Sequence, residues 1–133
     1  MGQEFLEDKQ WSDDVTGHPE LRIFWSGLES SDPAMRDFLR FTRELVALRW
    51  RYPALRAEGY ARIHVHDENR VLAFQRWVPG VGGTVVVVVS FANDPRHEYR
   101  IGFPLGGRWL ELFNSDVYQG WVNPQMVGAT VGR

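Results

Sequence analysis

Residues 84–92, with the sequence TVVVVVSFA, set the strongest limit on the fold of this chain. Their five consecutive valines carry β-branched side chains, which favour extended backbone over helix. Because the valines occupy odd and even positions alike, both faces of an extended strand are apolar here. We therefore predict a central strand that is buried on both faces of a β-sheet.

A β-hairpin is predicted directly before that strand. Polar and apolar side chains alternate from residue 60 to residue 66, which is typical of a strand with one buried face. The alternation predicts one face with Ala61, Ile63 and Val65 and another with Tyr60, Arg62, His64 and His66. The sequence DEN then favours a turn and RVLAFQRWV returns, so residues 60–78 are predicted to pair as a hairpin.

Two further strands are predicted after the valine-rich strand. They are RHEYRIGF (96–103), which follows the turn signal NDP, and RWLELF (108–113), which ends at NSD. Five strands separated by turn signals favour an antiparallel β-sandwich. The one clear helix precedes these strands instead of alternating with them, so βαβ units are not indicated. The predicted fold class is mainly β.

That helix is predicted at about residues 33–52. Asp32 is a suitable N-cap, Pro33 suits the first helical position, and Pro53 ends the helix near Tyr52. Apolar residues recur at spacings of three and four, which predicts a wide apolar stripe: Met35, Phe38, Leu39, Phe41, Leu45, Val46 and Leu48.

Composition limits the classes of partner. A net charge of −2 gives no bulk attraction to nucleic acid or to an anionic membrane. No apolar run approaches the roughly 18 residues of a membrane-spanning helix, and no leader sequence is recognisable. The chain has no cysteine, which excludes disulfides and thiolate metal sites and fits the cytoplasm. We expect a cytoplasmic protein without nucleic-acid or membrane partners.

Acidic residues near the start of the chain are candidates for a catalytic pair. Glycoside hydrolysis needs two carboxyls that face each other at about 5–5.5 Å or about 6.5–9.5 Å. Glu7 and Asp8, like Asp13 and Asp14, are adjacent in sequence and point apart in an extended loop, so a solvated loop is favoured. Glu4 is different, because it is expected at the end of a buried strand.

Histidine and tryptophan residues offer two other kinds of site. His64 and His66 are two residues apart and could bind a metal with a third ligand, although exposed hairpin positions explain them better. Trp77, Trp109 and Trp121 could stack on sugar rings, although packing between elements is the more common role of a tryptophan. The residues alone therefore give no complete catalytic set.

Six stretches occur in a fixed order along the chain: MGQEF, DFLRFTRELVALRWRYPAL, VLAFQRW, VVVVVSFAND, YRIGFPLGGRWLELFNSD and VNPQ. Taken together they resemble glucan branching enzymes of the α-amylase superfamily, glycoside hydrolase family 13. The first two resemble the last strand and last helix of the catalytic (β/α)8 barrel, and the other four resemble the C-terminal all-β domain. The resemblance is collinear over nearly all 133 residues.

The resemblance implies a boundary between two parts of the chain. Residues 1–55 are then a remnant of the catalytic barrel, with its last strand ending in the Gly-Gln-Glu-Phe of residues 2–5. Residues 56–133 are then the C-terminal β-sandwich of the α-amylase type, lacking its final strands. Met1 matches an internal residue of the family, which implies a C-terminal fragment.

The family's catalytic residues have no counterpart in this sequence. Its nucleophilic Asp, acid/base Glu and transition-state Asp lie on earlier barrel strands, so the resemblance implies no catalytic residue here. Gln3 and Glu4 match a Gly-Gln-Glu motif beside the active-site mouth and are expected to lie near the substrate. The resemblance implies no cofactor and no metal.

The expected function is that of a structural, non-catalytic β-domain of a 1,4-α-glucan branching enzyme of glycogen biosynthesis. That enzyme transfers an α-1,4-glucan chain to a 6-hydroxyl. The expected partners are α-glucan, through the parent enzyme, and the parent's catalytic barrel. Two alternatives are a stand-alone α-glucan-binding module that stacks sugar on Trp121, and a metal-dependent enzyme that uses His64 and His66.

Overall fold

The computed structural model describes residues 2–7, 12–14, 16–18, 23, 25–29 and 33–115. These residues fall into two units, one with the described residues up to Val46 together with those from Glu111 onward, and one with Ala47–Leu110. The domain boundary predicted between residues 55 and 56 stays a prediction.

The described residues of the second unit form an antiparallel sheet of three strands, β1 (Gly59–His66), β2 (Val71–Trp77) and β3 (Thr84–Ser90). The strands pair in sequence order, so β2 lies between β1 and β3. This arrangement confirms the hairpin predicted over residues 60–78 and the antiparallel all-β type of the fold.

Strand β3 lies at an edge of this sheet, so the prediction of a central strand buried on both faces is wrong for the described residues. Short turns connect successive strands, and each strand therefore pairs with its neighbour in sequence, which places β2 in the middle. Burial follows this order. Val71 and Ala73 of β2 are 5% and 0% exposed, whereas Val88 of β3 is 48% exposed.

Strand β1 contains a bulge between Arg62 and His64. Before the bulge Ala61 pairs with Gln75, and after it His64 pairs with Ala73. Directly opposed residues share a face, and residues two apart on β2 also share one, so Ala61 and His64 lie on the same face. Arg62 lies on the opposite face. The predicted alternation, which grouped Arg62 with the histidines, is wrong because it did not include the extra residue of the bulge.

The two strands predicted at residues 96–103 and 108–113 are absent from the described structure, where these segments contain only bends, turns and irregular backbone. Glu98 has φ 53°, a left-handed conformation that interrupts an extended strand. Pro104 and Gly107, which has φ 116°, lie in the connection between the two segments. The alternating pattern alone does not reveal the left-handed residue, and the second layer of the predicted sandwich is not formed by the described residues.

The predicted helix is confirmed. A four-residue helix, α1 (Ser26–Glu29), precedes the long helix α2 (Pro33–Arg51), which matches the predicted range of 33–52. On its exposed side the Arg40 guanidinium forms an ion pair with Glu44 one turn later, at 2.9 Å. Within the first unit, the Phe41 ring lies 5.5 Å from the ring of Phe38 and 5.5 Å from that of Phe113.

Two arginines hold the carboxyl end of α2 and the 3₁₀ turn that follows it. The last carbonyls of a helix have no partner inside the helix, so other donors must satisfy them. Arg56 donates from Nη2 to the Trp50 carbonyl oxygen at 3.3 Å, and Arg49 donates from Nη1 to the Leu55 oxygen in the following 3₁₀ turn at 2.8 Å. The Arg56 guanidinium also lies 5.2 Å from the centroid of the exposed Trp50 ring.

The expected end of a barrel strand at residues 2–5 is wrong for this structure, because Gln3–Phe5 is a single 3₁₀ turn. A strand needs a neighbour to satisfy its backbone groups, whereas here local bonds satisfy them. Gly2 and Leu6 flank the turn with φ 83° and 64°, and these left-handed residues reverse the chain. The assignment of residues 1–55 to a barrel remnant stays a prediction.

None of the described helices is long and apolar enough to cross a membrane.

Candidate functional site

The two residues predicted to lie near the substrate occupy the outside of the first turn. Gln3 and Glu4 are both exposed. The Phe5 N–H donates to the Gly2 carbonyl oxygen at 3.1 Å, and the Glu7 N–H donates to the same oxygen at 3.0 Å. These bonds close the turn and fix the backbone from which both side chains project.

Phe5 anchors this turn. Its side chain is 1% exposed, and its ring lies 5.5 Å from the Trp25 ring, a contact worth about 0.5–1.5 kcal/mol beyond area burial. Because Phe5 points inward, Gln3 and Glu4 face solvent. A carboxamide donates and accepts hydrogen bonds and a carboxylate accepts them, which suits sugar hydroxyls. Their proximity to a substrate stays a prediction.

The acidic loop that follows forms a turn in its described part. Asp14 accepts hydrogen bonds at Oδ1 from the backbone N–H groups of Thr16, at 3.1 Å, and Gly17, at 2.8 Å. Such side-chain bonds to nearby N–H groups are typical of aspartate in turns. Asp13 is exposed, and Asp8 lies outside the described residues. Asp14 therefore has a local structural role.

His64 and His66 are half-buried and hydrogen-bonded, and are not the solvent-facing residues that the hairpin pattern predicted. Their rings stack with centroids 6.2 Å apart. His64 Nε2 lies 2.8 Å from the hydroxyl oxygen of Tyr99, and the Asn69 N–H donates to His66 Nδ1 at 3.1 Å. The first bond joins β1 to the segment after β3, and the second closes the turn between β1 and β2.

Among the residues that the structure describes, no group of three or more His, Cys, Asp and Glu side chains is arranged to hold a metal ion. A zinc site needs at least three converging protein ligands. The geometry of the two histidines therefore gives no support to the metal-dependent alternative.

Replacing Tyr99 with phenylalanine is expected to lower the free energy of unfolding by about 1 kcal/mol, because it removes the hydroxyl that bonds His64 and leaves a half-buried imidazole nitrogen without that partner. Urea denaturation measures the change. Tyr60→Phe is the matched control, since the Tyr60 side chain is half exposed and its change is expected to stay within about 0.5 kcal/mol. Equal effects of the two substitutions would contradict a stabilising role for the bond.

The tryptophans predicted as possible sugar platforms contact other residues of the chain where the structure describes them. Trp77 is half-buried at the end of β2, beside Gly59. The Trp109 ring lies 4.8 Å from that of Phe103, and its Nε1 donates to the Leu105 carbonyl oxygen at 3.1 Å. Trp121 lies outside the described residues, so its predicted contact with glucan stays a prediction.

A polar cavity of about 280 Å³, here called the end pocket, lies in the second unit. Its walls come from the turn between β1 and β2 and from the loop after β3. Two carboxylates, two guanidiniums, a carboxamide and a methyl group line it: Glu68, Asp94, Arg70, Arg96, Asn93 and Ala92.

Sequence reasoning did not identify the end pocket, although it predicted both of the turns that form it. The DEN and NDP stretches by themselves predict only connections between strands. In an antiparallel meander, the turn after the first strand and the exit of the third strand lie at the same end of the sheet. The strand order, taken together with the charged residues of both turns, is the signal that could have identified the pocket.

Comparisons with known proteins match the β-rich part of the chain to one family. Residues 63–131 match the family model described as the alpha amylase C-terminal all-beta domain. The match covers β2, β3 and the second half of β1, and it continues beyond the described residues.

Curated proteins similar to this chain are named 1,4-alpha-glucan branching enzyme GlgB. The protein of Marinobacter nauticus is 37% identical over 124 residues, which cover 87% of this chain and 18% of that protein. The protein of Frankia casuarinae is 34% identical over 127 residues, 90% of this chain and 15% of that protein. The protein of Aquifex aeolicus is 32% identical over 127 residues, 91% of this chain and 19% of that protein. The chain thus spans less than a fifth of the length of these relatives.

Proposed function

This chain belongs to the family of alpha amylase C-terminal all-beta domains, and from that premise we propose that it is the non-catalytic C-terminal region of a cytoplasmic 1,4-α-glucan branching enzyme. The whole enzyme would cleave an α-1,4 link through a covalent glycosyl-enzyme and transfer the chain to a 6-hydroxyl in glycogen biosynthesis. In this proposal the region stabilises the enzyme and takes no part in bond cleavage.

The observation that carries the proposal is the extent of the similarity. The family match begins at residue 63, whereas the similarity to the branching enzymes covers about nine-tenths of the chain. It therefore includes residues well ahead of the sheet, among them residues of α2. An isolated module with the same fold would need to resemble these enzymes only over the sheet.

The surface of α2 supports a structural role. Leu45 and Val46 belong to the apolar stripe of the helix, yet they are 41% and 51% exposed. An amphipathic helix gains most of its stability by burying such a stripe against other elements. We propose that the catalytic barrel of the parent enzyme covers these residues.

The carboxylates of the end pocket also support a non-catalytic role for the part of the chain that the structure describes. It brings together the side chains of Glu68 and Asp94, and both are exposed to solvent. A glycosidase places its acid and its nucleophile in contrasting environments, one apolar and one polar, so that one carboxyl stays protonated. Two exposed carboxylates, each accompanied by arginines, lack that contrast.

We propose that Gln3 and Glu4 lie near the substrate in the whole enzyme. Their side chains project from a turn anchored by Phe5, so they can reach a neighbouring surface without disturbing that anchor. In the proposed enzyme they would hydrogen-bond sugar hydroxyls or neighbouring residues at the active-site mouth. They are proposed as positioning residues.

The purified 133-residue chain is expected to leave amylose unbranched. Without a nucleophile and an acid on opposite sides of the glycosidic bond, neither protonation of the leaving oxygen nor capture of the sugar can occur. Branching shortens the linear runs that bind iodine, so the absorbance of the amylose–iodine complex measures the reaction. The Marinobacter nauticus enzyme serves as the positive control.

A fall in absorbance produced by the chain alone would contradict the proposal. Branching that disappears in the double variant Glu68→Gln, Asp94→Asn would assign it to the end pocket. Branching that persists in that variant would place the activity elsewhere in the chain and would contradict the proposal equally.

A further inference from the structure

We propose that the end pocket binds one neutral sugar unit, and that this unit is a glucose residue of an α-glucan chain. The first part rests on the chemistry of the pocket. The second part rests on the proposed function, because the pocket alone does not distinguish one hexose from another.

The charged side chains of the pocket sum to zero and give no net attraction to an ion of either sign. Arg70 and Arg96 contribute two positive charges, and Glu68 and Asp94 contribute two negative charges. The attraction of an anion to the guanidiniums is opposed by repulsion from the carboxylates, and the reverse holds for a cation. A neutral ligand that carries both donors and acceptors avoids both penalties.

Sugar hydroxyls match the hydrogen-bonding groups of the lining. A guanidinium only donates, an ionised carboxylate only accepts, and a carboxamide does both. Each hydroxyl of a sugar can donate one bond and accept others, so neighbouring hydroxyls can bridge Asp94 and Arg96 or interact with Asn93. Charge-assisted bonds of this kind are among the stronger hydrogen bonds.

These groups are available to a ligand. The structure records no ion pair or side-chain hydrogen bond that joins Glu68, Arg70, Asp94 or Arg96 to another described residue. Among the described residues, a sugar that binds here therefore does not have to break an existing side-chain contact of these four residues.

The backbone of the pocket is held by the sheet. Arg70 adopts φ 54°, and its N–H donates to the Asp67 carbonyl oxygen at 3.0 Å, which closes the turn between β1 and β2. Its own carbonyl oxygen accepts from the Phe91 N–H at 2.8 Å, one residue beyond β3. This second bond ties the two walls together, so their relative position is set before a ligand binds.

The size of the pocket limits the ligand. A volume of about 280 Å³ is close to the lower end of the range for small-molecule sites, which starts at about 300 Å³. It suits one sugar unit, with the rest of an oligosaccharide outside. Few atoms are then in contact, so we expect a dissociation constant on the order of 1 mM for maltotriose.

An NMR titration of the full 133-residue chain with maltotriose tests this inference. We expect amide shifts confined to the pocket walls, residues 67–70 and 91–96. Asp94→Ala is expected to weaken binding at least about fivefold, because it removes a charged acceptor at an exposed position where the fold is not at risk. Asp13→Ala is the matched control and is expected to leave the affinity unchanged, because Asp13 is an exposed residue of the other unit.

Three outcomes would overturn the inference. The first is that the amides of the pocket walls do not shift up to about 50 mM maltotriose, a concentration well above the expected dissociation constant. The second is that inorganic phosphate binds at the walls more tightly than maltotriose. The third is that the Asp94→Ala and Asp13→Ala variants bind maltotriose with equal affinity. None of these would affect the proposed function, which the branching assays test. Conversely, if the branching assays contradict the proposed function, the binding of maltotriose to the pocket still stands. Only the identification of the natural ligand as the α-glucan of the parent enzyme is then lost.

Discussion

Replacing Gly59 with alanine is expected to lower the free energy of unfolding by about 1–3 kcal/mol, near the upper end of that range. Gly59 opens β1 opposite Trp77, the last residue of β2. A Cβ atom at Gly59 would clash with the Trp77 carbonyl oxygen and would lie 2.7 Å from two carbons of its indole ring. The carbonyl is part of the backbone and cannot rotate away, so the ends of both strands must separate.

Gly82→Ala is the matched control for this substitution. Gly82 lies in the turn between β2 and β3, and a Cβ atom built there meets no other atom within 4 Å. Alanine is expected to change stability there by no more than about 0.5 kcal/mol. Urea denaturation followed by tryptophan fluorescence compares the two variants. A Gly59→Ala variant as stable as Gly82→Ala would show that the close approach of Gly59 to Trp77 is not present in solution.

A second large effect is expected when this chain is placed in a relative. In the Marinobacter nauticus branching enzyme, the region aligned with this chain makes up 18% of the protein. An enzyme in which this chain replaces that region is expected to branch amylose, whereas the enzyme without the region is expected to lose most of its activity. The expected reason is packing, because removal of the region would expose the apolar surface that we propose it covers.

The helix and the hairpin were predictable because local signals specify them. Pro33 fits the first turn of α2, and the apolar spacing of the helix is independent of distant contacts. The hairpin likewise depends on alternation and on a short turn between β1 and β2. For each segment, the sequence signals that specify its structure lie within about twenty consecutive residues.

Strand order was less predictable because it depends on pairing between distant segments. The valines of β3 predicted a strand correctly, but their apolar character does not determine whether the strand pairs with one or two neighbouring strands. The bulge in β1 is a similar case. It moves Arg62 to the face opposite His64, and the sequence contains no glycine at that point to indicate it. The left-handed Glu98 also lacks a strong local signal.

The candidate sites also differ in how far local sequence signals predict them. The resemblance selected Gln3 and Glu4, and the structure places both on an exposed turn that the strand prediction did not anticipate. The end pocket depends on two turns 25 or so residues apart in sequence, so no single motif encodes it. The sequence favoured an exposed position for His64, with metal binding as an alternative, whereas the structure joins it to Tyr99, 35 residues further along the chain.

The exchange in the Marinobacter nauticus enzyme tests the central claim most directly. The measurement is the rate at which the absorbance of amylose–iodine falls, for the parent enzyme, the enzyme carrying this chain, and the enzyme lacking the aligned region, each first verified as folded by circular dichroism. The proposed function predicts that the enzyme carrying this chain branches amylose at a rate within about tenfold of the parent, a loss of no more than about 1.4 kcal/mol in transition-state stabilisation. A folded enzyme carrying this chain that branches no faster than the truncated one would contradict the proposal.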